Sequence, residues 1–373
     1  MNILIIDNSL NFTGAFKCAL NEADLLSDQH KFTFILHSNS NLKKPLQEKG
    51  YKVHQLHMVE IKRSIPVLFL YPLMLLRNAV EVFRIVANEN IDVVQVNDYY
   101  NLIGVMLKKL GYKGKLITYV RFLPSAIPGI LNKWWTKLAQ KYSYKVIAVS
   151  DAVLQQLPQK ENTIRIYDPV KLEEQLPEDN DEETNTIDLL YLGNYIKGKG
   201  QDYAIEAFAM AYEQNQLLRL RFAGGIMGLD KNAAFKVELQ KRAQELGIAE
   251  VVTFDSFSTN IEQDIKEADI VLNFSDAESF SMTCLEAAFY GTPLIATKCG
   301  GPEEIIVHEE TGLLVPKADT TAMSDAILTL ANNRLVRDDY ALAGKAYVRN
   351  KFSISNYTTA IESILKEEQH VGS

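Results

Sequence analysis

The 373-residue sequence is poor in cysteine, tryptophan and proline. Its three cysteines, Cys18, Cys284 and Cys299, show no C-x-x-C spacing and are too few for a disulfide scaffold. A reduced, cytoplasmic setting is therefore expected. No apolar stretch reaches the ~18–20 residues needed to span a bilayer. The longest, 65–76 (IPVLFLYPLMLL), contains two prolines and is flanked by Lys62, Arg63 and Arg77. The opening segment, MNILIIDNSL, reads as a strand and lacks the basic region and small-residue cleavage site of a leader peptide. The six histidines form no metal set: His54 and His57 could share a helix face, but no third ligand accompanies them. No protein-bound metal and no cofactor are expected. No G-x-G-x-x-G follows the first strand, which disfavours a dinucleotide dehydrogenase. Low-complexity tracts and short repeats are also missing.

What is present is ordinary for a globular chain, with 47% hydrophobic and 23% charged residues. The length favours two domains, each of roughly 150–200 residues and large enough for its own core. The net charge of −8 hides a split. Up to residue 166 there are 21 Lys and Arg against 12 Asp and Glu, and beyond it 18 against 35. Either solvated surfaces differ by accident, or the basic half meets an anionic lipid surface or a phosphate-bearing substrate.

Strands and helices alternate along both halves. Apolar runs at 3–6, 32–36, 93–96, 115–120 and 146–149 predict buried strands, and amphipathic stretches at 15–26, 75–88, 102–110 and 134–142 predict helices. This is the pattern of a doubly wound parallel sheet. The acidic segment 168–186 reads as a linker, after which the alternation restarts. Strands are expected at 188–192, 219–223, 251–254, 270–274, 294–297 and 312–315, with helices at 203–212 and 233–246. Two α/β domains in tandem follow, with ligands expected beyond the carboxyl ends of the strands, in a cleft between them.

The segment 270–304 is the most informative. A strand (IVLNF) runs into Ser275-Asp276-Ala277-Glu278-Ser279-Phe280-Ser281, then a short helix stopped by Gly291 and Pro293. Ser279 or Ser281 is a natural N-cap, which aims the N–H groups of residues 280–283 outward as an anion site suited to a diphosphate. Glu278 and Glu286 stand eight residues apart. On one continuous helix they would diverge by ~80° and lie ~12 Å apart along the axis. They converge on one ligand only if Glu278 sits in the loop and Glu286 in the helix. The bland alternative is that both merely favour the helix dipole.

Here the sequence resembles the donor site of the family 4 retaining glycosyltransferases, which have the GT-B fold: two doubly wound Rossmann-like domains facing a central cleft. Tyr191-Leu192-Gly193-Asn194-Tyr195-Ile196-Lys197-Gly198-Lys199-Gly200 is similar to the family's G-R-L…K-G element, and Phe222-Ala223-Gly224-Gly225 to its strand-ending glycine pair. Gly300-Gly301-Pro302-Glu303-Glu304 and Thr311-Gly312-Leu313-Leu314-Val315 are similar to its closing motifs. The likeness is strong over 187–317 and only topological over the first 150 residues.

The resemblance implies an acceptor domain at 1–167, a linker at 168–186, a donor domain at 187–350, and a tail at 351–373 that crosses back onto the first domain. It implies that Glu286 binds the nucleotide ribose, Glu278 the donor-sugar hydroxyls, and the backbone N–H groups of Phe280, Ser281 and Met282 the diphosphate. Lys199 would neutralise phosphate charge, the alternative being a solvated lysine in a glycine-rich turn. Asn194 stands where the family has arginine, so Lys197, Lys199 or Arg121 would have to compensate. Thr13 and Gly14 lie in the loop after the first strand, where the family's backbone approaches the donor phosphates, although an ordinary βα turn explains Gly14 nearly as well. Arg121 ends a strand where many relatives have histidine. It cannot act as a base, and either steadies phosphate or an anionic acceptor or joins a surface salt bridge. Asn97 and Asp98, at another strand end, are acceptor-side candidates.

The activity implied is hexosyl-type, metal-independent transfer with retention from a nucleotide-diphosphate sugar, a UDP-sugar being favoured. The receiver would be a hydroxyl of a glycan or lipid-linked acceptor in bacterial cell-surface polysaccharide synthesis. No nucleic-acid partner is expected. If Trp134, Trp135 and the 65–76 run are exposed rather than core, they suit peripheral contact with the inner face of the cell membrane through the basic first domain. The alternatives are a sugar-nucleotide 2-epimerase, which lacks such a carboxylate pair, and a non-catalytic sugar-nucleotide- or glycan-binding subunit of the same fold.

Overall fold

A computed structural model describes residues 1–58, 65–168, 185–256, 258 and 260–367. The segment expected to link the domains falls almost wholly outside these residues, as do Lys62 and Arg63. The chain divides into two compact units, Met1–Lys171 with Phe352–Ser373, and Leu172–Lys351.

In the first unit, short aliphatic runs buried on both faces form the strands. They are β1 (Asn2–Ile6), β2 (Lys31–His37), β3 (Lys52–Leu56), β4 (Val93–Val96), β5 (Lys115–Val120), β6 (Lys145–Ala148) and β7 (Thr163–Arg165). All are parallel, in the order β3-β2-β1-β4-β5-β6-β7. Strand order reverses between β1 and β4. Leu4, Ile6, Ile35, Val94, Val96 and Leu116 meet Val82, Val86, Ile103 and Leu107 of the covering helices in a buried core.

The sequence reading missed β3 and β7. Both are edge strands that alternate partly exposed and polar positions, so no continuous apolar run marks them. The helix expected over 75–88 begins instead at Ile65 and runs to Asn88. Pro66 falls in its first turn, where no backbone N–H is required, and Pro72 is accommodated inside it.

The tail helix Ile354–Lys366 belongs to the first unit. Its last carbonyls have no partner within the helix. The buried Lys115 ammonium supplies one, donating to the carbonyls of Ile364 at 2.9 Å and Leu365 at 2.6 Å and to that of Glu367. A cation there also opposes the negative end of the helix dipole. The Tyr119 and Tyr357 hydroxyls meet at 3.2 Å, and His30 Nε2 lies 2.6 Å from Glu362 Oε1.

The second unit repeats the scheme with β8 (Ile187–Leu192), β9 (Leu218–Ala223), β10 (Val252–Asp255), β11 (Ile270–Asn273), β12 (Leu294–Thr297) and β13 (Leu313–Val315). The order is β10-β9-β8-β11-β12-β13, again parallel, with the reversal between β8 and β11. Leu189, Leu220, Phe222, Leu272 and Phe274 pack against Ala204 and Phe208 of helix Gln201–Gln214 and Met323 and Ile327 of helix Thr320–Ala331.

Replacing Lys115 by Met leaves the carbonyls at the end of the tail helix without a donor. Lys115→Met is expected to lower stability by ~2–3 kcal/mol in urea unfolding. Amide hydrogen exchange over 354–366 should accelerate more than exchange in β1 or β4.

Candidate functional site

In an open parallel sheet, the helices after the two strands at the point of reversal leave toward opposite sides, and the strand ends there border a crevice. In the second unit these strands are β8 and β11, and the candidate residues follow them directly.

The loop after β8 runs from Gly193 to Gly200 and presses against the end of β11. A side chain at Gly200 would begin 2.0 Å from the Phe274 carbonyl oxygen, and the residue's φ of +78° lies in the left-handed region. Glycine meets both demands. At Gly224, after β9, a Cβ would sit 1.9 Å from the Gly193 carbonyl oxygen. The loops are therefore stacked backbone on backbone.

Tyr191 pins this arrangement from below. Its buried hydroxyl donates to the Lys199 carbonyl and accepts from the Phe274 N–H at 2.8 Å. Lys199 is thereby held beside the loop after β11, and its Nζ lies 2.8 Å from Glu278 Oε1. Ser275 Oγ donates to the same carboxylate oxygen at 2.8 Å. Burial works against the Lys199 ammonium, but Glu278 outweighs it and the lysine pKa is raised. Both side chains keep solvent access, 38% for Lys199 and 14% for Glu278. Glu278 is fixed by its backbone as well: its N–H donates to the Cys299 carbonyl at 3.2 Å, and its carbonyl accepts from Gly301 at 2.8 Å.

The short helix is Met282–Tyr290, with Ser281 rather than Ser279 as its cap. Ser281 Oγ accepts from the Cys284 N–H at 3.4 Å and from Asn273 Nδ2 at 2.9 Å. Its φ of +76° is a costly conformation for a residue with a Cβ. Gly291, at φ +86°, closes the helix. Glu278 thus lies in the loop and Glu286 in the helix, where it is buried. Phe280, Ser281 and Met282 form the turn between them.

Asn194 takes a different part from the arginine it replaces. Its Oδ1 accepts from the Gly225 N–H at 3.0 Å, which ties the loop after β8 to the one after β9. Lys197 is exposed and pairs with Glu238 at 3.0 Å. Glu303 caps the Gly300 N–H at 2.7 Å, which gives the Gly-Gly-Pro-Glu-Glu turn its shape.

The first unit gathers a second set at its own point of reversal. Asp7 follows β1, Asn97 and Asp98 follow β4, and Arg121 follows β5. Asn97 Nδ2 donates to Asp7. The Arg121 side chain is buried: Nε donates to Asn97 Oδ1 at 2.7 Å, Nη1 pairs with Asp168, and the guanidinium lies 4.5 Å from the Tyr119 ring centre. Nη2 is buried without a partner among the described residues. The expectation of a surface salt bridge is corrected: Arg121 forms an internal pair, because burying a guanidinium at a strand end requires a carboxylate beside it. Its reading as a phosphate-steadying group meets the same fact, since its charge is already committed to Asp168. Burial pushes the Asp98 carboxyl up to about 8, against the opposing effect of the Arg121 and Tyr99 N–H groups. Thr13 is the N-cap of helix Gly14–Leu26, its Oγ1 accepting from the Phe16 N–H at 3.2 Å, and Gly14 is that helix's first residue.

Tyr191, Ser275, Asn273 and Asp168 escaped the sequence reading. Tyr191 sits in a strand and reads as core, and Asp168 opens the acidic segment read as linker. Neither role has a local signal. Among the described residues, no group of three or more His, Cys, Asp or Glu side chains could hold a metal ion.

Fold and site together describe a two-unit α/β protein with polar residues collected at the reversal point of each sheet. Two family models match the chain, Glycosyltransferase Family 4 over residues 12–173 and Glycosyl transferases group 1 over 173–347, and the chain belongs to this glycosyltransferase family. It is 26% identical over 191 residues to the N-acetyl-alpha-D-glucosaminyl L-malate synthase of Bacillus anthracis, across 49% of this chain and 47% of that protein. It is 31% identical over 133 residues to the lipopolysaccharide core biosynthesis mannosyltransferase LpsB of Rhizobium meliloti, across 35% and 38%. The chain spans about half the length of the first curated relatives it matches. Among solved structures, Anabaena HepE in complex with UDP and glucose has a TM-score of 0.82 at 20% identity, covering 98% of this chain and 99% of that one. A glycosyltransferase from Rickettsia africae has a TM-score of 0.80 at 19% identity, covering 98% and 99%. These likenesses establish the GT-B fold.

A buried carboxyl that stays protonated to about 8 has a folded-state pKa far above its unfolded value of ~3.9. The folded chain then holds the extra proton, so stability falls as pH rises from ~4 toward 8, by up to ~1.4 kcal/mol per unit. Urea unfolding across that range should show this slope, and Asp98→Asn should flatten it.

Proposed function

We propose that the chain transfers a sugar from a nucleoside-diphosphate sugar, a UDP-sugar in the first instance, to a hydroxyl of a glycan or lipid-linked acceptor, with retention at the anomeric carbon. The observation that carries this reading is the Lys199–Glu278 pair at the reversal point of the second sheet, beside the N-terminus of helix Met282–Tyr290. A diphosphate requires cations and N–H donors, and a sugar requires acceptors for its hydroxyls. An ammonium paired with a carboxylate that lies three residues before a helix cap meets both needs. The UDP bound in HepE and the sugar-transferring relatives support the same donor class.

In this reading Glu278 accepts hydrogen bonds from sugar hydroxyls, Glu286 holds the ribose, and Lys199 turns part of its charge from Glu278 to the departing phosphate. The N–H groups of Phe280, Ser281 and Met282 face the diphosphate, and Asn194 completes the loop around it. The bond from the anomeric carbon to the phosphate oxygen breaks as the acceptor oxygen bonds to that carbon on the same face. The acceptor's proton passes to the departing phosphate oxygen. The contribution of the protein is positioning and electrostatic stabilisation of the leaving group, so no protein base is required. Asn97 and Asp98 border the acceptor, and Arg121 sets their geometry from behind. Metal-independence and a place in cell-surface polysaccharide synthesis belong to the same proposal.

A thermal-shift series with UDP, GDP, ADP, CMP and dTDP tests the donor site. The preferred diphosphate at a hundredfold excess over its Kd should stabilise by ~2.7 kcal/mol. Glu286→Ala and Lys199→Ala should each weaken that binding by ~10–100-fold, while Glu278→Gln lowers kcat more than it raises the donor KM. Binding of one diphosphate without its release from any sugar nucleotide would point to the non-catalytic subunit. Unchanged kinetics in all three variants would sink the assignment.

A further inference from the structure

We propose that the outward faces of helices Gly129–Tyr142 and Ile65–Asn88 form a docking surface for an anionic lipid bilayer. The idea deepens the reading of a lipid-linked acceptor and rests on it for the choice of a membrane, but its test needs no turnover.

Helix Gly129–Tyr142 sorts its two adjacent tryptophans. Trp135 is 7% exposed, with its ring 6.1 Å from Tyr99 and 6.2 Å from Tyr100. Trp134 is 47% exposed and Ile130 85%. Lys133, Lys137 and Lys141 stand exposed on the same helix. Such a face, with a large aromatic and an aliphatic side chain among lysines and no acidic residue, is unusual for a helix that meets only water. Phe122, half exposed, lies 5.9 Å from Tyr100 and extends the apolar patch.

Helix Ile103–Lys109 packs against both proposed docking helices. Its Lys109 and the neighbouring Lys141 approach the Tyr142 ring centre at 5.6 and 5.4 Å, which brings basic groups of two helices to one place. On helix Ile65–Asn88, Leu73, Leu76, Arg77, Val80 and Arg84 are exposed at three- and four-residue spacing, with Leu73 at 68%. Glu81 is exposed among Arg77, Val80 and Arg84 on that helix, whereas helix Gly129–Tyr142 carries lysines and no acidic residue.

Charge selects the occupant. Lysines on a helix face that has no acidic residue, beside exposed Trp and Ile, fit lipid phosphates above and acyl chains below, the pattern of a helix lying in the interface. Among the described residues, no helix is long and apolar enough to cross a membrane, so the contact is peripheral.

Flotation of the full chain with phosphatidylcholine vesicles, with or without about 30% phosphatidylglycerol, tests the proposal. At least ~tenfold more protein should float with the anionic vesicles, and about 0.5 M salt should reverse most of the gain. Tryptophan emission should shift to the blue on binding, and Trp134→Phe should abolish the shift because Trp135 is already buried. Changing Lys133, Lys137 and Lys141 together to Glu should weaken binding at least ~tenfold while leaving the melting temperature and the nucleotide-induced shift unchanged. Equal binding to neutral and anionic vesicles, a blue shift that survives Trp134→Phe, or self-association or DNA binding through Trp134 in place of vesicle binding would each overturn the surface. Loss of vesicle binding with nucleotide binding intact counts against the surface alone. The converse result counts against the transferase reading alone.

Discussion

Parallel strands bring all their carboxyl ends to one edge of a sheet, and at the point where strand order reverses the helices that follow leave toward opposite sides. The backbone groups at such an edge are the last of their ladders and need partners from outside them. Both sheets meet this requirement with polar side chains drawn from loops far apart in sequence. In the first unit the Asp98 carboxyl accepts from the Tyr99 and Arg121 N–H groups, and Asn97 joins the Asp7 and Arg121 side chains across the ends of β1, β4 and β5. In the second, Tyr191 joins the loop after β8 to the end of β11. The shape of each polar edge follows from this one constraint.

The two edges differ in how their charges are spent. The first consumes them internally. Arg121 is buried against Asp168, and Asp98 is driven toward its neutral form by burial. A charge held this way specifies geometry more than it attracts a ligand. The second edge keeps its charges partly in solvent. The Lys199–Glu278 pair is held by glycine-tight loops and a pinned tyrosine, yet each partner retains an exposed flank. An ordered ion pair whose ammonium keeps solvent access can turn part of that charge toward an incoming anion without first being brought to the surface. The left-handed φ at Ser281 marks the turn at which this loop passes into helix Met282–Tyr290.

Much of this was legible in the residues. The central strands were, because a strand covered on both faces must be a continuous aliphatic run. The edge strands β3 and β7 were not, because half-exposed strands share their composition with loops. The start of helix Ile65–Asn88 was hidden by prolines, whose meaning depends on where the first turn falls. In the site, Glu278, Glu286 and the capping serine could be read, since a cap, a glycine stop and an eight-residue interval are local facts. The exposure of Trp134 and burial of Trp135 could not, because adjacent residues on a helix differ by about 100° and only packing decides which one turns inward.

By itself the sequence determined the α/β class, the alternation that builds two parallel sheets, and the loop and helix that carry Glu278 and Glu286. These depend on periodicity and on short-range turn chemistry. Only the tertiary structure decided that Lys199 pairs with Glu278, that Asn194 ties two loops together, and that Arg121 is committed to Asp168. Each of these contacts joins residues from the ends of different strands, and the distance between strand ends is set by sheet order. Sheet order arises from how whole strands and helices pack, which no local stretch of residues encodes.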